Sequence, residues 1–366
     1  MDPVACTVAI TGMNATDNPA PGVAVARALR DEPSFRGKVI GLGYNALDPG
    51  FYASGLLDGG AILPYPSAGR DALRKHLLEV REAFGIDVFL PTLDSELRGA
   101  IALSEELESI GIRTFLPTLE SLERSSKPRL HELNRAPGVS VPDSEPITSA
   151  DAIPRAIRKY GLPIVVKGPY YGGEVAHGEA DALAAFHRFL AMWGGPVVVQ
   201  RFVAGEEYNI AAIGDGHGGM VGAVAMRKMA LTDKGKGWSG ITVDNPALIE
   251  LTAAVVKALQ WRGPLEVEVL RESSSGELFV AEINPRFPAW IYLSAGAGQN
   301  LPWAALRLAL GLEVPRPLPA YRPGTMFVRI SLDQISELST FEQLSSVGVL
   351  RPAEGVRVRS VGKDRP

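Results

Sequence analysis

The chain has one cysteine, Cys6, so no internal disulfide can form, and that residue lies in an apolar run patterned like a buried strand. Such usage predicts a reducing compartment and a cytoplasmic protein. Histidine is nearly as scarce. His76, His131, His177, His187 and His217 are scattered with no H-x-x-x-H spacing, which argues against a zinc site. No stretch of roughly twenty uninterrupted apolar residues occurs, and no basic region followed by an apolar one opens the chain, so neither a membrane span nor a secretory leader is expected. Charge of one sign is not in excess either: 37 Lys and Arg against 41 Asp and Glu give a net charge of -4, which argues against a broad nucleic-acid or anionic-membrane surface.

What is present is the composition of an ordinary globular protein, 46% apolar and 21% charged. Its 366 residues exceed one small core and predict two or three lobes. Residues 6–12 form a short β-run that enters a Gly/Pro/Asn loop and then a helix over 23–29, and a second strand follows at 38–43. This βαβ opening predicts a parallel sheet. A dinucleotide site is the tempting reading of the loop, but the G-x-G-x-x-G spacing is missing and the second strand ends in Gly-Tyr-Asn where a ribose-binding acid belongs.

Leu73, Leu77, Val80 and Phe84 recur at helical spacing over 71–84. Strand 88–91 then runs into Asp94 and Glu96. Ligands of open α/β sheets lie beyond the carboxyl ends of strands, so both acids are candidates for touching a substrate; helix N-capping by Asp94 or Ser95 is the plainer alternative. A helix over 97–110 and a strand over 112–116 complete the first lobe. A helix over 119–134 carries Lys127 and is broken by the Pro/Gly segment 136–142. After a helix near 149–160, Lys167 closes the apolar β-run 161–167 and is followed at once by Gly168-Pro169-Tyr170-Tyr171-Gly172-Gly173-Glu174. A lysine at a buried strand end is costly without an anionic partner, and beside a glycine loop that partner is plausibly phosphate. A hairpin turn with a snorkelling lysine is the alternative for this stretch alone.

The segment 196–240 reads as antiparallel sheet with short loops, its part from 232 to 240 as mobile. A helix near 246–262 buries Leu248, Leu251, Val255 and Leu259. Two strands follow, 264–270 and 277–283, joined by hairpin-loop residues. Alternation puts Glu266 and Glu268 on one face of the first, and Glu282 emerges at the end of the second. Glu268, Glu282 and Asn284 can converge, with Arg286 beside them. Hard oxygen ligands and a planar guanidinium suit a Mg²⁺-phosphate site, although solvated carboxylates on a hairpin explain this stretch equally well by itself.

The ordered series Lys127, V-V-K at 165–167 with its glycine loop, Q-R-F-V-x-G-E-E-Y at 200–208, R-K at 227–228, Glu268 and E-I-N-P-R at 282–286 resembles the ATP-grasp enzymes. The likeness is to the branch of the carbamoyl-phosphate synthetase large subunit, biotin carboxylase and D-alanine–D-alanine ligase, especially the stand-alone carboxylate–amine ligases, and it spans about residues 5–312. It implies an α/β fold with an N-terminal parallel pre-ATP-grasp domain (1–118), a small lobe with linking helices and a glycine flap (119–200), a large lobe with the metal site (201–312) and a C-terminal appendage (313–366). It implies ATP and Mg²⁺ as cofactors, with Mn²⁺ an admissible substitute. Lys127 and Lys167 match the lysines that hold ATP phosphates, and the 168–175 loop with Gly172 and Gly173 matches the flap over them. Gln200, Arg201 and Val203 match the adenine hinge, and Glu207 the ribose acid. Glu268, Glu282 and Asn284 match the metal ligands, Arg286 the arginine facing the transferred phosphate, and Arg227 a further phosphate or substrate contact. Two departures stand out: Glu174 where relatives often have another glycine, and Gln200 where they often have Glu.

The implied reaction is ADP-forming ligation of a small-molecule or peptide carboxylate to an amine, or a thiol, through an acyl-phosphate. Carboxylation of the biotin-carboxylase kind, simple kinase activity or a silent nucleotide-binding regulatory role are the alternatives on the same scaffold. The resemblance also allows a homodimer. Trp290 and Tyr292, beside the phosphate centre, are expected in the core, with an acceptor pocket as the alternative.

Overall fold

Val8, Ala9 and Ile10 are fully buried in β1 (Thr7–Ile10), as befits a strand with parallel neighbours on both sides. α1 (Pro21–Arg30) starts on a proline, whose missing N–H costs nothing at a helix start. β2 (Lys38–Gly43), β3 (Gly59–Ile62), α2 (Arg70–Phe84), β4 (Val88–Leu90) and α3 (Asp94–Ser109) follow. The sheet order is β3-β2-β1-β4 in parallel, with a two-residue strand, Val349–Leu350, antiparallel on the β3 edge. The chain therefore reverses its winding between β1 and β4, where the loops after both strands diverge. The strand expected over 112–116 is reduced to one parallel bridge, Val88 to Arg113.

The computed structural model describes residues 3–351, and the chain divides into two units. The first comprises residues up to Thr114 with Ala309–Gly311 and the segment from Ile330; the second is Phe115–Leu308 with Leu312–Arg329.

In the second unit α4 (Leu119–Arg124) is capped by the Thr118 hydroxyl and stops early. Ser126 is extended and Pro128 has no N–H to continue an α-helical ladder, so Lys127 opens a separate 3-10 helix, Lys127–Arg135, and does not sit inside one long α-helix. β5 (Ser144–Ile147), α5 (Ile153–Tyr160), β6 (Ile164–Lys167), β7 (Gly173–Ala176), α6 (Glu179–Trp193) and β8 (Val197–Arg201) make a four-stranded antiparallel sheet, β5-β8-β6-β7. Ile164, Val166, Ala176, Val197 and Val199 pack one face of it on α5 and α6. The opposite face carries Val165, Lys167, Val198 and Gln200 by alternation.

β9 (Gly205–Asp215), β10 (Met220–Leu231), β11 (Gly237–Thr242), α7 (Pro246–Leu259), β12 (Arg262–Glu272), β13 (Leu278–Asn284) and β14 (Met326–Val328) complete the unit. Their six-stranded sheet runs β13-β12-β9-β10-β11-β14, antiparallel throughout. β11 takes up much of the segment expected to be mobile. Tyr208, Ile210, Ala212, Ala223, Ala225, Leu265, Val267 and Val269 cover one face and meet Leu248, Leu251, Val255 and Leu259 of α7. The tail after 312 is divided: β14 pairs with β11 in the second unit, whereas Val349–Leu350 pairs with β3 in the first. The basic end, from residue 352, lies outside the described residues. Among the described residues no helix is long and apolar enough to cross a membrane.

Candidate active site

Strand parity builds the site. Since Leu265, Val267 and Val269 face α7, Glu266 and Glu268 face away from it. By the same alternation Glu207 and Asn209 of β9 and Lys228 of β10 share that outer face. β13 needs one further device. Its pairing runs Glu266↔Asn284, Val267↔Ile283 and Glu268↔Glu282, then jumps to Val269↔Val280, which leaves Ala281 as the extra residue of a β-bulge. Val280 and Ile283 can thus both reach the α7 core while Glu282 and Asn284 look the other way. The Ala281 carbonyl, outside the ladder, accepts from Lys167 Nζ at 2.9 Å.

Around this face Lys127 Nζ lies 3.2 Å from Glu282 Oε2. Lys228 Nζ pairs with Glu207 Oε1. Glu266 is buried and accepts three hydrogen bonds and an ion pair: Trp290 Nε1 at 2.7 Å and Asn209 Nδ2 at 3.0 Å donate to one oxygen, Asn284 Nδ2 at 3.1 Å donates to the other, and Arg286 Nη1 pairs with that second oxygen at 3.5 Å. Asn284 Nδ2 also reaches Glu268 Oε1 at 3.2 Å, so its amide oxygen turns away from both acids, 3.4 Å from Arg286 Nη2.

The charges are out of water and perturb one another. Burial raises the Glu282 carboxyl above its ordinary range, and Glu268 across the ladder adds to this, against the pull of Lys127 and Lys167. Burial lowers Lys167, only partly offset by Glu282. Burial also raises Glu266, again with Glu268. For Lys228 burial acts downward, but Glu268 and Glu207 outweigh it and the net shift is upward. Two buried carboxylates held above their usual range, Glu266 and Glu282, with Glu268 between them and cations gathered on the group, form a site whose charge calls for a cationic ligand.

A family profile described as "ATP-grasp in the biosynthetic pathway with Ter operon" matches residues 195–329. Over 92 residues, 24% of this chain and 29% of that protein, the sequence is 32% identical to D-alanine–D-alanine ligase of Chromohalobacter salexigens. In structure the chain is similar to biotin carboxylase of Campylobacter jejuni (TM-score 0.66, 17% identity, 85% of this chain and 72% of that one) and to L-amino acid ligase of Bacillus licheniformis (TM-score 0.61, 16% identity, 83% and 74%). Residues 195–329 match the ATP-grasp family, and the fold is similar to that of these structures. The chain spans less than half the length of the curated relatives it matches.

In the structure the sequence-predicted residues fall into two groups. Lys127, Lys167, Glu207, Glu268, Glu282, Asn284 and Arg286 are joined by the contacts above. Gln200 is buried on the same sheet face as Lys167, and Gly173 stands opposite Lys167 in the ladder; a side chain at Gly173 would meet the Lys167 stem at 3.3 Å. Val203 is buried after the end of β8.

The others lie apart. Arg227 continues the parity of Ala223 and Ala225, so it points to the α7 side, where it is half-exposed and binds Glu206 at 3.2 Å. Arg201 Nη1 binds Glu272 at 2.7 Å, and the Arg201 backbone N–H is engaged by the Asp143 carbonyl. The expected flap over 168–175 is shorter, because Gly173–Ala176 is paired strand. Gly172, at φ 84°, packs on Phe189, where a β-carbon would come within 2.7 Å of the ring. Glu174 turns to the helix side, where Arg188 holds it.

Asp94 opens α3 without capping it. Glu96 is instead buried, accepting from Thr11 Oγ1 at 2.5 Å, from the Tyr44 hydroxyl and from the Leu93 N–H. Sequence reasoning left Lys228, Asn209 and Glu266 without roles. Parity along β10 and β9 carries the signal for the first two; the tie from Trp290 to Glu266 depends on the turn after β13, which no periodicity reveals.

Proposed function

We propose that this chain is an ADP-forming ligase that activates a carboxylate with ATP and joins it to an amine. The observation that carries this reading is the meeting of Glu268, Glu282 and Asn284 with Lys127, Lys167 and Arg286 on one open sheet face. The donor set suits Mg²⁺: two opposed carboxylates and an amide oxygen, with phosphate oxygens left to complete the shell, are its ordinary company. Among the described residues no group of three or more His, Cys, Asp or Glu is arranged to hold an ion unaided, as expected where the nucleotide supplies ligands.

In this reading Glu268, Glu282 and Asn284 hold the metal, which supplies Lewis-acid polarisation and charge neutralisation when bound. Lys127 and Lys167 hold phosphate oxygens and offset charge as the γ-phosphoryl group moves to the substrate carboxylate. Arg286 faces the transferred group. The amine then displaces phosphate from the acyl-phosphate. Glu207 serves the ribose with Lys228 beside it, and Gln200 and Val203 border the adenine. The β5–β8 and β9–β14 sheets are taken as the two clasping lobes, divided near residue 200, and an N-terminal domain ending near 118 precedes them in sequence. The names of the matched D-alanine–D-alanine ligase and L-amino acid ligase support small carboxylate and amine substrates. A cytoplasmic setting accords with the lone Cys6, buried, with its thiol pushed up to about 12 by burial and by Asp87.

The test is phosphate release with ATP and Mg²⁺ against a panel of carboxylates and amines. Release with ADP formation only when acid and amine are both present supports the ligase. Release with neither, transfer to one substrate without an amine, or no turnover under any combination overturns it. Glu282→Ala, folded but without ATP turnover, is the matching control.

A further inference from the structure

Glu266 is the one site-face carboxylate to which neither a metal nor a ribose role has been given. It is about 5% exposed, and its four partners come from β9, from β13 and from the turn that follows β13. Three donate hydrogen bonds and the fourth is a guanidinium, so both oxygens are engaged. Asn284 can present only its NH₂ group to the two acids beside it, because two carboxylates offer no proton to an amide oxygen. Arg286, two residues on, reaches the second oxygen of Glu266, and Trp290 reaches the first. One carboxylate thus fixes which atom of Asn284 faces outward and ties the Arg286–Trp290 turn to the sheet.

We propose that Glu266 is a positioning residue: by gripping the amide nitrogen of Asn284 and the guanidinium of Arg286, it turns the Asn284 oxygen toward the metal and sets Arg286 against the transferred phosphate. This rests on the nucleotide–metal reading of the site given above. A glutamine at 266 cannot reproduce the grip. Its oxygen can satisfy one pair of donors, but its NH₂ must then confront the other pair, either Trp290 with Asn209 or Asn284 with Arg286. Outer partners of metal ligands are typically worth about 10–100-fold in metal affinity or activity.

The experiment is calorimetric binding of ADP to the full chain, with Mg²⁺ and with EDTA, for wild type, Glu266→Gln and Trp290→Phe. Glu266→Gln is expected to weaken Mg²⁺-dependent ADP binding by about 10–100-fold while metal-free binding stays within about twofold. Trp290→Phe, which deletes one donor and keeps the carboxylate, is expected to give a smaller loss in the same direction, and it keeps the test open should Glu266→Gln not fold. The proposal is overturned if the Mg²⁺ dependence of every folded variant equals that of wild type, or if binding falls equally with and without Mg²⁺. If wild type itself binds ADP no better with Mg²⁺, the nucleotide–metal reading fails first.

Discussion

Lys127 Nζ lies 3.2 Å from Glu282 Oε2, so a cation assigned to phosphate rests on a carboxylate assigned to the metal. A bound divalent ion and this ammonium compete for the same oxygen, and phosphate offers the ammonium an alternative partner. Lys127→Met is therefore expected to weaken ADP binding and to slow turnover on the order of 10²–10³. In the absence of nucleotide the same change should strengthen divalent-ion binding by about tenfold, or ~1.4 kcal/mol. A Mn²⁺ titration followed by electron paramagnetic resonance checks the second effect; weaker Mn²⁺ binding by the variant would refute the competition.

Neighbours in sequence, Arg227 and Lys228, should behave oppositely. Arg227 binds Glu206 on the α7 side, so Arg227→Ala should leave ADP affinity within about twofold. Lys228→Ala strips Glu207 of its partner beside Glu268 and Glu266, and should cost about tenfold or more. Isothermal titration of both variants decides this, and equal losses would contradict the parity of β10.

Glu96 makes stability depend on pH. Burial raises its carboxyl from the usual 4.5 to about 7, although Thr11 and Tyr44 donate to it. The folded state then holds a proton that the unfolded state releases between these values, so stability falls as pH rises through that window and levels off above it. The span corresponds to about 3 kcal/mol. Denaturant unfolding of wild type and Glu96→Gln from pH 4.5 to 8 should show that fall in wild type only; parallel profiles would count against it.

The sequence made the βαβ opening, the α7 stripe and the β12–β13 hairpin legible, because each is a local period of 3.6 or 2 read against a buried face. Lys127, Lys167, Glu268, Glu282 and Asn284 were legible as an ordered series. An R-K pair does not announce whether Arg227 or Lys228 faces the acids; only the burial of Ala223 and Ala225 under α7 does. The long helix expected through Lys127 is broken before Pro128, whose missing N–H outweighs the helical pattern around it. Glu266 shared a face with Glu268 on alternation alone, but its role needed Trp290, brought back by a turn without a period.

The bulge at Ala281 makes a backbone carbonyl the inherited quantity here. Residues can be added to or taken from the 273–277 hairpin loop without changing which atoms face the nucleotide. Losing Ala281 would leave Val280, Glu282, Ile283 and Asn284 in plain alternation with the same faces outward, but it would remove the carbonyl that accepts from Lys167. Natural variation in relatives should therefore gather in the loop and spare the bulge, and an enzyme engineer should treat Ala281 as a position open to substitution but closed to deletion.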